Sequence, residues 1–297
     1  MKQLTGFLKR YSLVIGIILM FVLTWPIDLA HLGLLPLKVP FVIYIFLGWG
    51  FGIVAVVMTG LTLGKAGVIS LLKRYLQWRV GWTWYLAPFL LAPALSVGGV
   101  YLNAALTDVP PDFSTVMAYE IFGKSAYLPF FILPFFMIDF IANGEEIGWR
   151  GYVLPRLQVK YSALTSALIT GVIWGLWHLP KYLTHWNTVV FAWFMVHMLF
   201  ASILYRWLYN GTKGSLLLVT LFHAASNTIG VFMPSANTVS NENMSAYIVS
   251  VLLEALTAII IVIATGPARL SRTEPIKVEE QLSTLPDQIS QSVSARV

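Results

Sequence analysis

Eight stretches of this chain run for about 20 mostly apolar residues, the length that crosses the hydrocarbon core of a bilayer. They lie near 12–30, 39–62, 82–106, 126–144, 162–180, 188–209, 214–234 and 246–266. A backbone in lipid must pair its polar groups internally, so stretches of this kind read as helices. The fold class is therefore all-α, a polytopic membrane protein of about eight transmembrane helices. Between the second and third lies Leu71-Leu72-Lys73-Arg74-Tyr75-Leu76-Gln77-Trp78-Arg79. Its interleaved basic and apolar residues predict one interfacial amphipathic helix. Only 11% of the residues are charged and 58% are hydrophobic, with mean hydropathy +0.76. Soluble domains carry about a quarter charged residues, so a soluble enzyme is excluded.

One membrane domain is expected, since nothing between the spans is long enough to fold alone. Within it, 1–125 holds the N-terminal spans and the interfacial helix, and 126–234 a core that carries the polar motifs described below. The last span follows in 235–266, and 267–297 is a disordered polar tail. Lys2, Lys9 and Arg10 precede the apolar run Tyr11 to Leu29, a layout that could mimic a signal peptide. Seven more apolar segments follow, so this run is taken as the first span.

The net charge of +6 reflects positive charge retained on the cytoplasmic side rather than affinity for nucleic acid. With the N-terminus inside, Lys2, Lys9, Arg10, Lys65, Lys73, Arg74, Arg79, Arg156, Lys160, Arg206, Lys213, Arg269, Arg272, Lys277 and Arg296 fall on the cytoplasmic side. Lys38, Lys124 and Lys181 fall outside, which makes fifteen against three with Arg150 set apart. Both termini are then cytoplasmic, in a plasma-membrane protein. Cysteine is absent, which excludes thiolate metal sites and a cysteine nucleophile.

The fourth apolar run ends in Asn143-Gly144-Glu145-Glu146-Ile147-Gly148-Trp149-Arg150-Gly151 and is expected to continue as helix to about Leu157. Ionisable residues at membrane depth are costly and mark functional sites by default. Glu146 and Arg150 have i,i+4 spacing and pair naturally on a helix. Glu145 points elsewhere and lacks a partner within its own turn. The arrangement favours different roles, with Glu146 held charged by Arg150 and Glu145 able to exchange a proton with water. The blander alternative is a charge cluster at a helix end.

Two later segments carry further polar pairs. Trp174 and His178 lie one turn apart, with Gly171 and Gly175 as a flat second face and Pro180 ending the segment. His223 and Asn227 repeat the spacing, and both residue types can donate to a developing oxyanion. Separately, each is as readily inter-helix hydrogen bonding. Asp28, Asp139, His197, Arg206 and Glu254 also lie at depth; Arg206 is read as a cytoplasmic flanking charge, and Asp139 and His197, each placed where it could support the site from behind, are assigned structural roles.

The ordered set Glu-Glu-x-x-x-Arg, aromatic-x-x-x-His and His-x-x-x-Asn resembles the CAAX protease and bacteriocin-processing family, also called Abi. The resemblance covers roughly Leu128 to Met233 and departs from the commonest pattern at Trp174, where phenylalanine is usual. It implies an all-helical intramembrane endopeptidase in which Glu145 and His178 activate water. His223 and Asn227 would stabilise the oxyanion, while Glu146, Arg150 and Trp174 structure the site. Family members are commonly labelled metalloproteases, and zinc held by Glu145, His178 and His223 plus water is one scheme. A metal-free scheme needs the same residues and is preferred.

The resemblance also implies a membrane-associated peptide or protein substrate that enters from the bilayer. With a bacterial origin, a prenylated substrate is not expected. Two other classes compete. A proton- or ion-coupled carrier would use the same residues as a relay, but carriers show inverted repeats, and none is apparent. A non-catalytic immunity or scaffold protein would keep the motifs as a relic.

Overall fold

The computed structural model describes residues 2–123, 128–184, 187–234 and 244–272. The described residues are helical, with no strand among them. In chain order the α-helices are α1 (Lys2–His31), α2 (Phe41–Ile45), α3 (Trp49–Lys73), α4 (Ala92–Thr107), α5 (Ala118–Phe122) and α6 (Ile132–Ala142). There follow α7 (Leu154–Gln158), α8 (Ala163–Trp177), α9 (Leu179–Leu183), α10 (Thr188–Gly211), α11 (Leu216–Phe232) and α12 (Ser245–Thr265). Five stretches are long and apolar enough to cross a membrane: Phe7–His31, Trp49–Leu76, Trp82–Thr107, Thr188–Gly211 and Ser245–Thr265. Three shorter apolar helices, Pro129–Ala142, Ala163–Trp177 and Leu216–Phe232, occupy the remaining expected positions. The chain is a multi-pass membrane protein.

Local sequence explains where the inner helices start. Ser162, Asn187 and Ser215 each cap a helix, accepting from the backbone N–H groups of Thr165, of Val189 and Val190, and of Leu218 respectively. Helix α8 packs along α10, and α10 also contacts α11 and α12. Helix α12 lies against α4, α1 against α3, and α11 against α6 and α4. The contact of α8 with α10 depends on Gly171, where a Cβ would meet the Met198 carbonyl oxygen at 2.8 Å. The core that results centres on Phe51, Trp149, Tyr152, Leu204, Tyr209 and Leu218, all fully enclosed. A smaller cluster joins Val116, Ala118, Val231 and Phe232, where Phe122 stacks on Phe131 at 4.6 Å.

Four expectations change. First, the interfacial helix expected over 71–79 starts earlier and stops sooner. Helix α3 is broken at Gly64, whose φ of +68° and ψ of −167° turn the chain in a region only glycine occupies readily. The piece after the break continues through a 3-10 turn at Arg74–Leu76, and 77–79 are not helical. Its arginine faces inward: Arg74 is buried and donates to the Tyr209 hydroxyl. Second, Arg206 is not a flanking charge. It is fully enclosed, on the helix that packs against α8, α11 and α12.

Third, the start of the expected polar tail is packed. Ala163 and Leu164 donate backbone hydrogen bonds to Ala268 and Pro267, Asn210 Nδ2 donates to the Arg269 carbonyl at 2.7 Å, and Leu270 is fully buried. The remainder of that tail, 273–297, lies outside the described residues, as does Lys124. The fourth change, at the acidic motif, shapes the site.

Candidate active site

The fourth apolar segment does not run on as one helix. Helix α6 stops at Ala142, Asn143 leaves the helical region with φ −81° and ψ 84°, and a π-helix spans Ile147–Val153 before α7. Gly144 sits at the break. A Cβ there would lie 2.6 Å from Trp49 Cα and 2.8 Å from the Gly48 carbonyl oxygen, so only glycine lets this turn cross the start of α3. Wide π turns concentrate at functional sites, and this one carries the acidic motif into the core: Trp149, Arg150 and Tyr152 are at most 1% exposed.

The expected Glu146–Arg150 pair forms, with Arg150 donating to Glu146 Oε1 at 2.9 Å. That oxygen also accepts from His223 Nδ1 at 2.8 Å. The guanidinium carbon of Arg150 sits 4.3 Å from the Trp174 ring centre and 4.1 Å from that of Tyr205, so two aromatic faces clamp the cation. An ion pair this deep needs its extra partners, because burial removes both charges from water.

Glu145 departs from its expected isolation. Its Oε2 accepts from Trp149 Nε1, four residues on, at 3.3 Å, and from Trp174 Nε1 at 2.9 Å. The residue is half-buried, whereas Glu146 is fully enclosed. The two adjacent carboxylates thus face different surroundings, one committed to Arg150 and His223 and one to neutral indole donors.

His178 lies at the junction of α8 and α9 rather than inside a helix. Its Nδ1 is 2.9 Å from the Trp174 carbonyl oxygen, one of the last carbonyls of α8, which has no partner within the helix. A carbonyl only accepts, so Nδ1 carries the proton and Nε2 is the free acceptor. Trp174 therefore holds both residues, Glu145 through its indole and His178 through its backbone. The phenylalanine usual in the family pattern could supply only the second contact.

Hydrogen bonds thus join Glu145, Trp174 and His178 in one set and Glu146, Arg150 and His223 in a second, and the Arg150 guanidinium over the Trp174 ring links the two in one network. Asn227 is not tied into that network; it is exposed, and its Nδ2 donates to both carboxylate oxygens of Asp139 at 3.3 Å. Sequence reasoning missed Trp149, whose signal was its i+4 spacing from Glu145. It also missed Tyr205, which stands on α10 and has no motif spacing to announce it.

For a metal, the donor set does not assemble. Among the described residues, no three His, Cys, Asp or Glu side chains group as a metal site. The expected Glu145–His178–His223 zinc set is not grouped in this arrangement, although each residue keeps a donor atom beyond the one engaged, Oε1 of Glu145 and Nε2 of each histidine.

Residues 125–229 match a family model described as type II CAAX prenyl endopeptidase, Rce1-like. A curated relative, CAAX prenyl protease 2 of Methanococcus maripaludis, is 26% identical over 148 residues, covering 47% of this chain and 52% of that protein. The chain thus spans about half the length of the relative it matches. Residues 125–229, the segment that holds all three motifs, are thus similar to the Rce1-like type II CAAX prenyl endopeptidases.

Proposed function

We propose that the protein is an intramembrane endopeptidase acting on a membrane-associated peptide, with Glu145 and His178 activating the attacking water. The observation that supports this best is the double hold of Trp174, which engages Glu145 Oε2 and His178 Nδ1 and leaves Glu145 Oε1 and His178 Nε2 without a hydrogen-bond partner among the described residues. Glu145 takes a proton from water as the oxygen attacks the scissile carbonyl carbon. The negative charge that develops on the carbonyl oxygen accepts from His223 and Asn227. His223 donates through Nε2 as the doubly protonated ring, its second N–H charge-compensated by Glu146. Collapse of the intermediate breaks the C–N bond, and Glu145 returns its proton to the leaving amine. Every step is carried by this chain's own residues, and the metal-free scheme is the one proposed.

The test uses purified protein in lipid with two labelled peptides, a farnesylated CAAX peptide and its unprenylated counterpart. Wild type is expected to cleave at least one, and Glu145→Ala to lose at least ~100-fold in rate, the scale of losing a proton-transfer group, while staying folded. Cleavage retained by Glu145→Ala would end the proposal. Loss of wild-type cleavage under a zinc chelator would end its metal-free part.

A further inference from the structure

We propose that Asp139, outside the three motifs, is a positioning residue that holds the Asn227 carboxamide with one N–H turned toward the oxyanion. The proposal rests on the reading of Asn227 as an oxyanion donor. An asparagine carboxamide can present either its oxygen or its nitrogen to a given neighbour, and a donor is useful in only one of those orientations. An ionised carboxylate accepts and never donates. Asp139 therefore selects the orientation in which Nδ2 faces it. The two equal distances of 3.3 Å are those of one N–H shared between both oxygens, which leaves the second N–H free.

Asp139 is itself well placed for this. It sits on α6 one turn before the break, where the Asn143 backbone N–H donates to the Asp139 carbonyl at 2.9 Å. Helix α6 packs along α11, so the carboxylate meets α11 one turn beyond His223. His223 is buried and faces Glu146, while Asn227 is exposed. Without Asp139, no other side chain hydrogen-bonded to Asn227 among the described residues would fix its amide.

The alternative is a plain cross-link between α6 and α11. In that case Asp139→Asn, of the same shape and still able to hydrogen-bond, would leave turnover alone. Positioning gives the opposite result, because an amide partner accepts either orientation of Asn227. In purified protein with the two labelled peptides, Asp139→Asn is expected to lower kcat about 10- to 100-fold, the scale of a misplaced group, at unchanged KM. Asp139→Glu, which keeps the acceptor, is expected to recover part of that loss. The double variant with Asn227→Ala is expected to be no slower than Asn227→Ala alone, since both act through one donor. Wild-type kcat in Asp139→Asn, or additive losses in the double variant, would overturn the proposal.

A second readout needs no substrate. In protein labelled with 15N-asparagine in lipid nanodiscs, the Asn227 side-chain signals are those that vanish in Asn227→Ala. They are expected to shift in Asp139→Asn, and unchanged signals would overturn the proposal. If wild type cleaves neither peptide, the proposed activity fails and the positioning role with it, while the nitrogen signals still decide whether Asp139 holds the Asn227 carboxamide.

Discussion

The residue that does most to shape the site is Trp174, and its two contacts can be separated. Replacing it by phenylalanine keeps a large aromatic ring beneath Arg150 and leaves the carbonyl that holds His178. Only the indole N–H to Glu145 is lost. We predict that Trp174→Phe unfolds within about 1 kcal/mol of wild type, the net worth of one hydrogen bond, yet cleaves about tenfold more slowly. Thermal unfolding and initial rates measured on one preparation check this, and unchanged rates would show that Trp149 alone orients Glu145. At this scale the sequence was legible where spacing speaks: Glu146 with Arg150, and Trp174 with His178, pair at i,i+4 as expected. It was illegible where partners come from other helices. Nothing in the spacing of His223 pointed to Glu146, 77 residues earlier, and Tyr205 carries no mark of its place against Arg150.

At the scale of elements, hydrophobic length located the five long stretches and the three shorter apolar helices, but it could not see the breaks that aim them. An apolar run shows only that a segment suits lipid, and Asn143-Gly144 interrupts the helix without interrupting that run. The break depends on close approach rather than on polarity. Gly144→Ala places a methyl against the backbone of Trp49, so α3 or the break itself must move. We predict a loss of about 1–3 kcal/mol in stability, typical of overpacking, together with a fall in cleavage as Glu145 is displaced. Gly60→Ala is the control. Its added carbon meets only Val68 Cγ2, at an ordinary 3.5 Å, and stability there is expected to hold or rise. Equal unfolding midpoints for the two variants would refute the steric account.

For the molecule as a whole, the sequence outlined eight apolar segments, and five proved long enough to cross a bilayer by themselves. The three short ones are those that bring in the site. Helices α6, α8 and α11 have 11, 15 and 17 residues, or about 17, 23 and 26 Å at ~1.5 Å per residue. A hydrocarbon core is about 30 Å thick. The long helices match it, so the shortfall belongs to these three helices. Lipid that meets them must thin, or polar headgroups and water must sink to meet them. The proposed reaction consumes water, and a dimpled membrane here would offer water a route to Glu145. Cleavage is therefore expected to be fastest in short-chain phosphatidylcholine and to slow as the acyl chains lengthen, with the fold unchanged. Rates independent of chain length would mean that water arrives through the protein rather than past a dimpled membrane.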